Sequence, residues 1–275
     1  MNGKRYYKPR PSFGRIMLRI IIGAVVCLII AAAVAYFAFG VRYKSVRTAD
    51  GLKVKFFGVT ENGNIKKGWI RYSTGVSAKI DLSGEKPKLT YSNGDVYEGD
   101  LDVALKEGVG KMTYKNGDVY EGEFRGDVCD GKGVMTYAEG TVYDGMYVSG
   151  KQEGSASVTF SDGSSFTGTY KDGRMDGASC VYRHANGDVY TGDFTEGMMN
   201  GHGEYVWANG DKYTGDFKND VREGRGVYEW ANGEKYDGEF AGNLMNGYGV
   251  YTFVGGRTYE GYFENGVVVR TDKGE

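Results

Sequence analysis

Residues 116–142 read NGDVYEGEFRGDVCDGKGVMTYAEGTV, and the spacing inside this stretch decides the fold. An Asn-Gly pair (Asn116-Gly117) leads into an aromatic-x-Gly triplet (Tyr120-Glu121-Gly122), a second aromatic follows at Phe124, and Gly131-Lys132-Gly133 comes next. Gly140 then closes the unit and Tyr143 opens another, 23 residues after Tyr120. A fixed period of this size is the signature of a repeat architecture.

Working outward, the triplet recurs at Tyr97-Gly99, Tyr120-Gly122, Tyr143-Gly145, Phe166-Gly168, Tyr190-Gly192, Tyr213-Gly215, Tyr236-Gly238 and Tyr259-Gly261. Leu101 follows the first, and Phe124, Tyr147, Tyr170, Phe194, Phe217, Phe240 and Phe263 follow the others. A further glycine stands nine residues beyond each of the first seven triplet glycines, from Gly108 to Gly247, and one extra residue lies between Gly177 and Gly187.

Tyr97, Gly99 and Leu101 share one face of an extended chain while Val96, Glu98 and Asp100 share the other; Gly108, Gly110, Met112 and Tyr114 alternate likewise. Each unit is thus two short strands. Asn116-Gly117 predicts a two-residue hairpin turn with positive φ at both positions, and Arg125–Asp130 a longer glycine-bearing connection. Glycine within strands costs ~0.5–1 kcal/mol each. A ring burying half of its ~150–250 Å² returns ~2–3 kcal/mol, so rings lying across bare glycine backbone are expected to carry the sheet.

These residues resemble the MORN (membrane occupation and recognition nexus) repeat family, whose pattern Tyr-x-Gly-x-Phe then Gly-x-Gly is matched by Tyr120-Glu121-Gly122-Glu123-Phe124 and Gly131-Lys132-Gly133. The resemblance runs from Asn93 to about Gly266 in eight units, with Leu101, Ala156 and Ser179 as departures. It implies an all-β repeat, an elongated single-layer antiparallel sheet of stacked 23-residue hairpins, that holds protein or membrane partners and performs no chemistry. Sixteen strands at ~4.8 Å spacing would extend on the order of 75 Å. The repeat array is placed at residues 89–266, with 61–88 as a decayed first repeat or cap because Asn62-Gly63 and Gly68 repeat the turn-to-triplet spacing with Lys66 in the aromatic slot. Residues 267–275 form a C-terminal tail.

Ile20 to Phe39 contains no charge, the length of a transmembrane helix. Ala33-Val34-Ala35 resembles a signal-peptide cleavage site, but the apolar run is longer than such segments. The expectation is a basic tail (1–19), one membrane span (20–39) and a juxtamembrane segment (40–60). Arg15 and Arg19 abut the span, so the N-terminus is placed inside and the repeats outside. The bilayer is then one partner. A cytosolic scaffold is the alternative placement.

Residues 1–50 carry nine Lys/Arg and one acid, while the other 225 carry 25 basic and 35 acidic groups, a balance that disfavours nucleic acid as a partner. Cys27, Cys129 and Cys180 form neither a disulfide framework nor a metal site. His184 occupies the aromatic slot of Tyr114 and Trp207, His202 is the variable middle of a Gly-x-Gly, and Cys180 near His184 lacks an orienting third group. Carboxylates recur at Glu98, Asp100, Glu121, Glu123, Asp193, Asp216, Asp237 and Glu239 without the loop spacing of a Ca²⁺ site. No catalytic residue, cofactor or metal is assigned, and an enzyme is not expected. The expected function is scaffolding of protein or membrane partners, with an extracellular polysaccharide-binding module as alternative. Trp69 in GNIKKGW (63–69) resembles one unit of choline- or glucan-binding repeats, and exposed rings would favour that reading.

Overall fold

The computed structural model describes residues 13–47, 53–62, 64–102 and 104–271. The chain divides into two units, 1–92 and 93–275.

In the first unit the helix α1 (Phe13–Ala38) precedes a meander of β1 (Val41–Arg47), β2 (Lys53–Glu61), β3 (Asn64–Tyr72), β4 (Ser77–Asp81) and β5 (Lys88–Tyr91), each antiparallel to the one before. Residues 40–60, expected as a juxtamembrane segment, therefore hold β1 and most of β2. Among the described residues no helix is long and apolar enough to cross a membrane. The single-pass anchor expected at Ile20–Phe39, and the localisation built on it, are corrected accordingly. Most of the expected basic tail lies outside the described residues.

The first unit carries its own glycine-aromatic contact. Gly58 pairs with Gly68, and a β-carbon at Gly68 would lie 2.8 Å from a ring carbon of Phe56. The triplet is Phe56-Phe57-Gly58, one strand earlier than the spacing from Asn62 suggested.

The second unit runs β6 (Val96–Asp102), β7 (Leu105–Thr113), β8 (Val119–Arg125), β9 (Val128–Thr136), β10 (Val142–Val148), β11 (Lys151–Thr159), β12 (Ser165–Lys171), β13 (Arg174–Met175), β14 (Gly177–Arg183) and β15 (Val189–Thr195). It continues through β16 (Met198–Val206), β17 (Lys212–Lys218), β18 (Val221–Glu229), β19 (Lys235–Ala241), β20 (Leu244–Thr252), β21 (Thr258–Glu264) and β22 (Val267–Thr271). Neighbours pair antiparallel; β12 pairs with both β13 and β14, which are two halves of one strand broken at Asp176. β22 replaces the first part of the expected tail, and residues 272–275 lie outside the described set.

The two connections of each repeat are exchanged relative to expectation. At Asn116-Gly117 only Gly117 has positive φ (+98°), Gly117 N donates to Tyr114 O (2.9 Å) and Tyr114 N to Asp118 O (2.8 Å). This is a three-residue loop, a type I turn closed by a left-handed glycine. Asn116 Oδ1 accepts from Asp118 N (3.1 Å), which holds the asparagine in that loop. The two-residue turn with both φ positive lies at Gly126 (+55°) and Asp127 (+75°), joining the paired Arg125 and Val128. The connection read as longer is shortened because β9 takes up its extra residues in a bulge: Gly122 pairs with Gly133 and Phe124 with Cys129. Gly131, at φ +111°, sits in that bulge.

Candidate functional site

The aromatic-x-Gly-x-aromatic positions singled out in the sequence fall on one face of the second unit. Tyr97, Tyr120, Tyr190, Tyr213 and Tyr236 are fully buried, as is Phe166. Each tyrosine ring lies over a glycine of its own strand and the glycine paired with it on the next, and each tyrosine hydroxyl donates to the carbonyl three residues on, as Tyr120 does to Glu123 O (2.9 Å) and Tyr190 to Asp193 O (3.0 Å). Phe124 stands edge-on between Tyr97 (5.1 Å between centroids) and Tyr120 (5.0 Å), and Phe217 between Tyr190 and Tyr213 (both 5.1 Å). The same edge-to-face alternation continues to Tyr259–Phe263 (5.9 Å). Burial raises the phenol pKa along the row, to about 12 at Tyr213 and Tyr236.

The fourth repeat departs from this pattern and compensates. Cys180, not Ser179, occupies the second-glycine position, pairing with Gly192 as Gly110 pairs with Gly122. Ser179 takes φ +57° and absorbs the extra residue. Phe166 has no hydroxyl, and the buried Cys180 thiol uses the room beside Gly168. The thiol faces the carbonyls of Gly177 (3.6 Å) and Ala178 (3.9 Å), while His184 stacks on Tyr182 (4.6 Å).

A second aromatic row lies on the same face, since Tyr205 pairs with Tyr190 and Tyr213, and Tyr228 with Tyr213 and Tyr236. It runs Tyr182, His184, Tyr205, Trp207, Tyr228, Trp230, Tyr251, Phe253, with successive centroids 4.6–5.7 Å apart. Every ring in it is half-buried. Carboxylates at the three-residue loops fix it: Tyr205 donates to Asp188 Oδ2 (3.0 Å), Tyr228 to Asp211 Oδ2 (2.8 Å) and Tyr251 to Glu234 Oε2 (2.9 Å). Asp188 and Asp211 each also accept from the next loop, at Ala208 N (2.8 Å) and Ala231 N (2.9 Å). Those backbone bonds are the main cause of lowered pKa at both carboxyls.

Arg222 lies between the rows, its guanidinium 5.4 Å from the Trp207 ring centre and 5.2 Å from that of Tyr228. Burial lowers its pKa. With Tyr228, Trp230, Leu244 and Met245 it lines a cleft of about 220 Å³. Toward β7–β9 methionine replaces tyrosine, and a space of about 550 Å³ opens beside Tyr114 and Met135.

Several of the acidic positions on the opposite face serve the bulges, whereas Glu121 pairs with Lys111 (2.6 Å). Asp100 Oδ2 accepts from Val109 N (3.1 Å) and Glu123 Oε1 from Lys132 N (3.3 Å). Asp216 Oδ2 accepts from Arg225 N (3.3 Å), and its Oδ1 lies 3.2 Å from His202 Nδ1. No group of metal-ligating side chains forms among the described residues. In the sequence only the slot shared by Tyr114, His184 and Trp207 was recognised; Tyr182, Tyr205, Tyr228 and Tyr251, themselves 23 residues apart, and Arg222 were missed.

The MORN repeat model matches residues 97–119, 120–142, 143–165, 166–189, 190–212, 213–235 and 236–256, and the chain belongs to this family. The eighth triplet, Tyr259-Glu260-Gly261, lies beyond the seven matched repeats but forms β21. No match to a curated protein is found. Among solved structures, the TCP10 domain of Danio rerio CPAP in complex with a STIL peptide is 13% identical, covering 85% of this chain and 100% of that one, at TM-score 0.45. The Drosophila melanogaster SAS-4 (dCPAP) TCP domain in complex with a proline-rich motif of Ana2 is 18% identical, covering 70% and 86%, at 0.30. A streptogramin B lyase is 14% identical, covering 82% and 83%, at 0.17. At these TM-scores none bears on function.

Proposed function

We propose that the MORN-repeat sheet is a non-enzymatic scaffold that binds protein partners along the half-exposed row from Tyr182 to Phe253. The observation that supports this reading is the contrast between the two rows. The first is spent on holding the sheet, whereas the second leaves part of every ring open to a partner. Aromatic, Met and Arg side chains are those enriched at interface cores, and Arg222 and Met245 stand among these rings or border them. Tyrosine hydroxyls tied to carboxylates restrain the rings before binding, which lowers the entropy cost of association.

Panning a random-peptide display library on the full chain tests this. Peptides are expected to be enriched on the wild type and lost on the Trp207→Ala/Trp230→Ala variant. Equal enrichment on both, or none on either, overturns the reading.

A further inference from the structure

The first unit differs from the repeats in where its aromatic rings lie. On its solvent face Tyr43 pairs with Phe57, and Phe57 with Trp69, so three rings stand side by side across β1, β2 and β3. They are 64%, 59% and 62% exposed, and the positions of the repeats that match Phe57 hold Glu98, Glu121 and Asp144 in place of a ring. Nothing in the sheet requires this, because the core on the other face is built from Val54, Phe56, Ile70, Tyr72, Ile80 and Leu89.

Cations accompany the rings. Lys55 pairs with Arg71 two residues along the same face, so a cationic row runs parallel to the aromatic one at about 7 Å. Lys79, paired with Trp69, ends the aromatic row. Lys53, Lys55, Arg71 and Ser73 line a cleft of about 310 Å³. No carboxylate among the described residues pairs with Lys53, Lys55, Arg71 or Lys79, while Lys67 is neutralised by Asp81 at 2.9 Å. Residues 40–92 carry eleven Lys/Arg and four Asp/Glu, net +7, and residues 93–275 carry 17 and 32, net −15.

We propose that this face of the first unit binds an anionic polysaccharide. Sugar rings would lie with their C–H faces on Tyr43, Phe57 and Trp69, and their carboxylate or sulfate groups would meet Lys55, Arg71 and Lys53. Charge complementarity selects an anionic partner. A nucleic acid, with a phosphate on every nucleotide, is disfavoured by the acidic repeats of the same chain; a glycan spaces its charges by whole sugars. The site is separate from the protein-binding row and does not depend on it.

The test uses the full chain carrying Trp207→Phe and Trp230→Phe, in which Trp69 is the remaining tryptophan. Polygalacturonate is expected to change Trp69 emission saturably, with affinity falling about tenfold or more as salt is raised. Phe57→Ser and Lys55→Gln/Arg71→Gln, all at exposed positions, should each remove the response without moving the melting midpoint. Absence of any response to polygalacturonate, or a response unchanged by both variants, overturns the proposal. So does binding of oligo-dT or of anionic phospholipid vesicles as tight as that of the glycan, because the face would then read charge or an interface rather than sugar.

Discussion

A β-carbon at Gly133 would lie 2.3 Å from the hydroxyl oxygen of Tyr120, whose ring occupies the space a side chain would need. The glycine and the tyrosine are therefore one structural element, repeated along the sheet, and each repeat has its core in the chain's own thickness.

Gly133→Ala should destabilise the protein by about 3 kcal/mol, the upper range for overpacking, because neither the ring nor the paired Gly122 strand can move away. Gly126→Ala meets no atom within 4 Å and should cost only about 1–2 kcal/mol, from its φ of +55°. Urea unfolding of the two variants checks the order; equal losses would show that backbone conformation, not ring contact, explains these glycines.

Tyr120→Phe keeps the ring and loses one hydrogen bond to Glu123 O, so a loss of about 1 kcal/mol is expected. Phe124→Ala removes a ring that is 4% exposed and touches two neighbours, and should cost about 3 kcal/mol or more. Melting midpoints unchanged by the second substitution would contradict the packing account.

The fourth repeat predicts a coupling. Phe166→Tyr puts a hydroxyl where the Cys180 thiol sits and should destabilise by about 1–3 kcal/mol. Adding Cys180→Gly restores the arrangement of the other repeats and should recover most of that loss. A double-mutant cycle in which the two changes simply add would mean the thiol and the hydroxyl do not compete.

Burial raises the phenols of Tyr213 and Tyr236 from the ordinary 10.0 to about 12. Below pH 10 both folded and unfolded chains are protonated there and the stability is fully present. Above it the unfolded chain ionises first, so stability falls as pH rises from 10 through about 12. Tyrosinate absorbance followed with far-UV circular dichroism should show a group of tyrosines ionising only as the sheet unfolds. Ionisation of every phenol near pH 10 with the sheet intact would contradict their burial.

The strand pairing was legible because alternation and the 23-residue period act together: Tyr120, Gly122 and Phe124 can share a face only in an extended chain. The turns were misread because Asn-Gly satisfies two loop types, and the choice depended on Asp118 closing the loop with Asn116 and on the bulge at Gly131 shortening the other connection. Phe56-Phe57-Gly58 went unseen because Lys66 was aligned to the ring slot by spacing alone. The second aromatic row was hidden by its neighbours, since Met112, Met135 and Val158 hold its tyrosine slot in the first three repeats. The apolar run at Ile20–Phe39 was read from its length as a membrane span, and the described helix does not bear that out.

Emission from Trp207 and Trp230 in a Trp69→Phe chain reports directly on the half-exposed row. Titration with a peptide selected on the wild-type protein should change that emission saturably, at the affinity measured by calorimetry. A peptide that binds by calorimetry and leaves both tryptophans unchanged would place the partner elsewhere on the sheet and contradict the assigned role of this row.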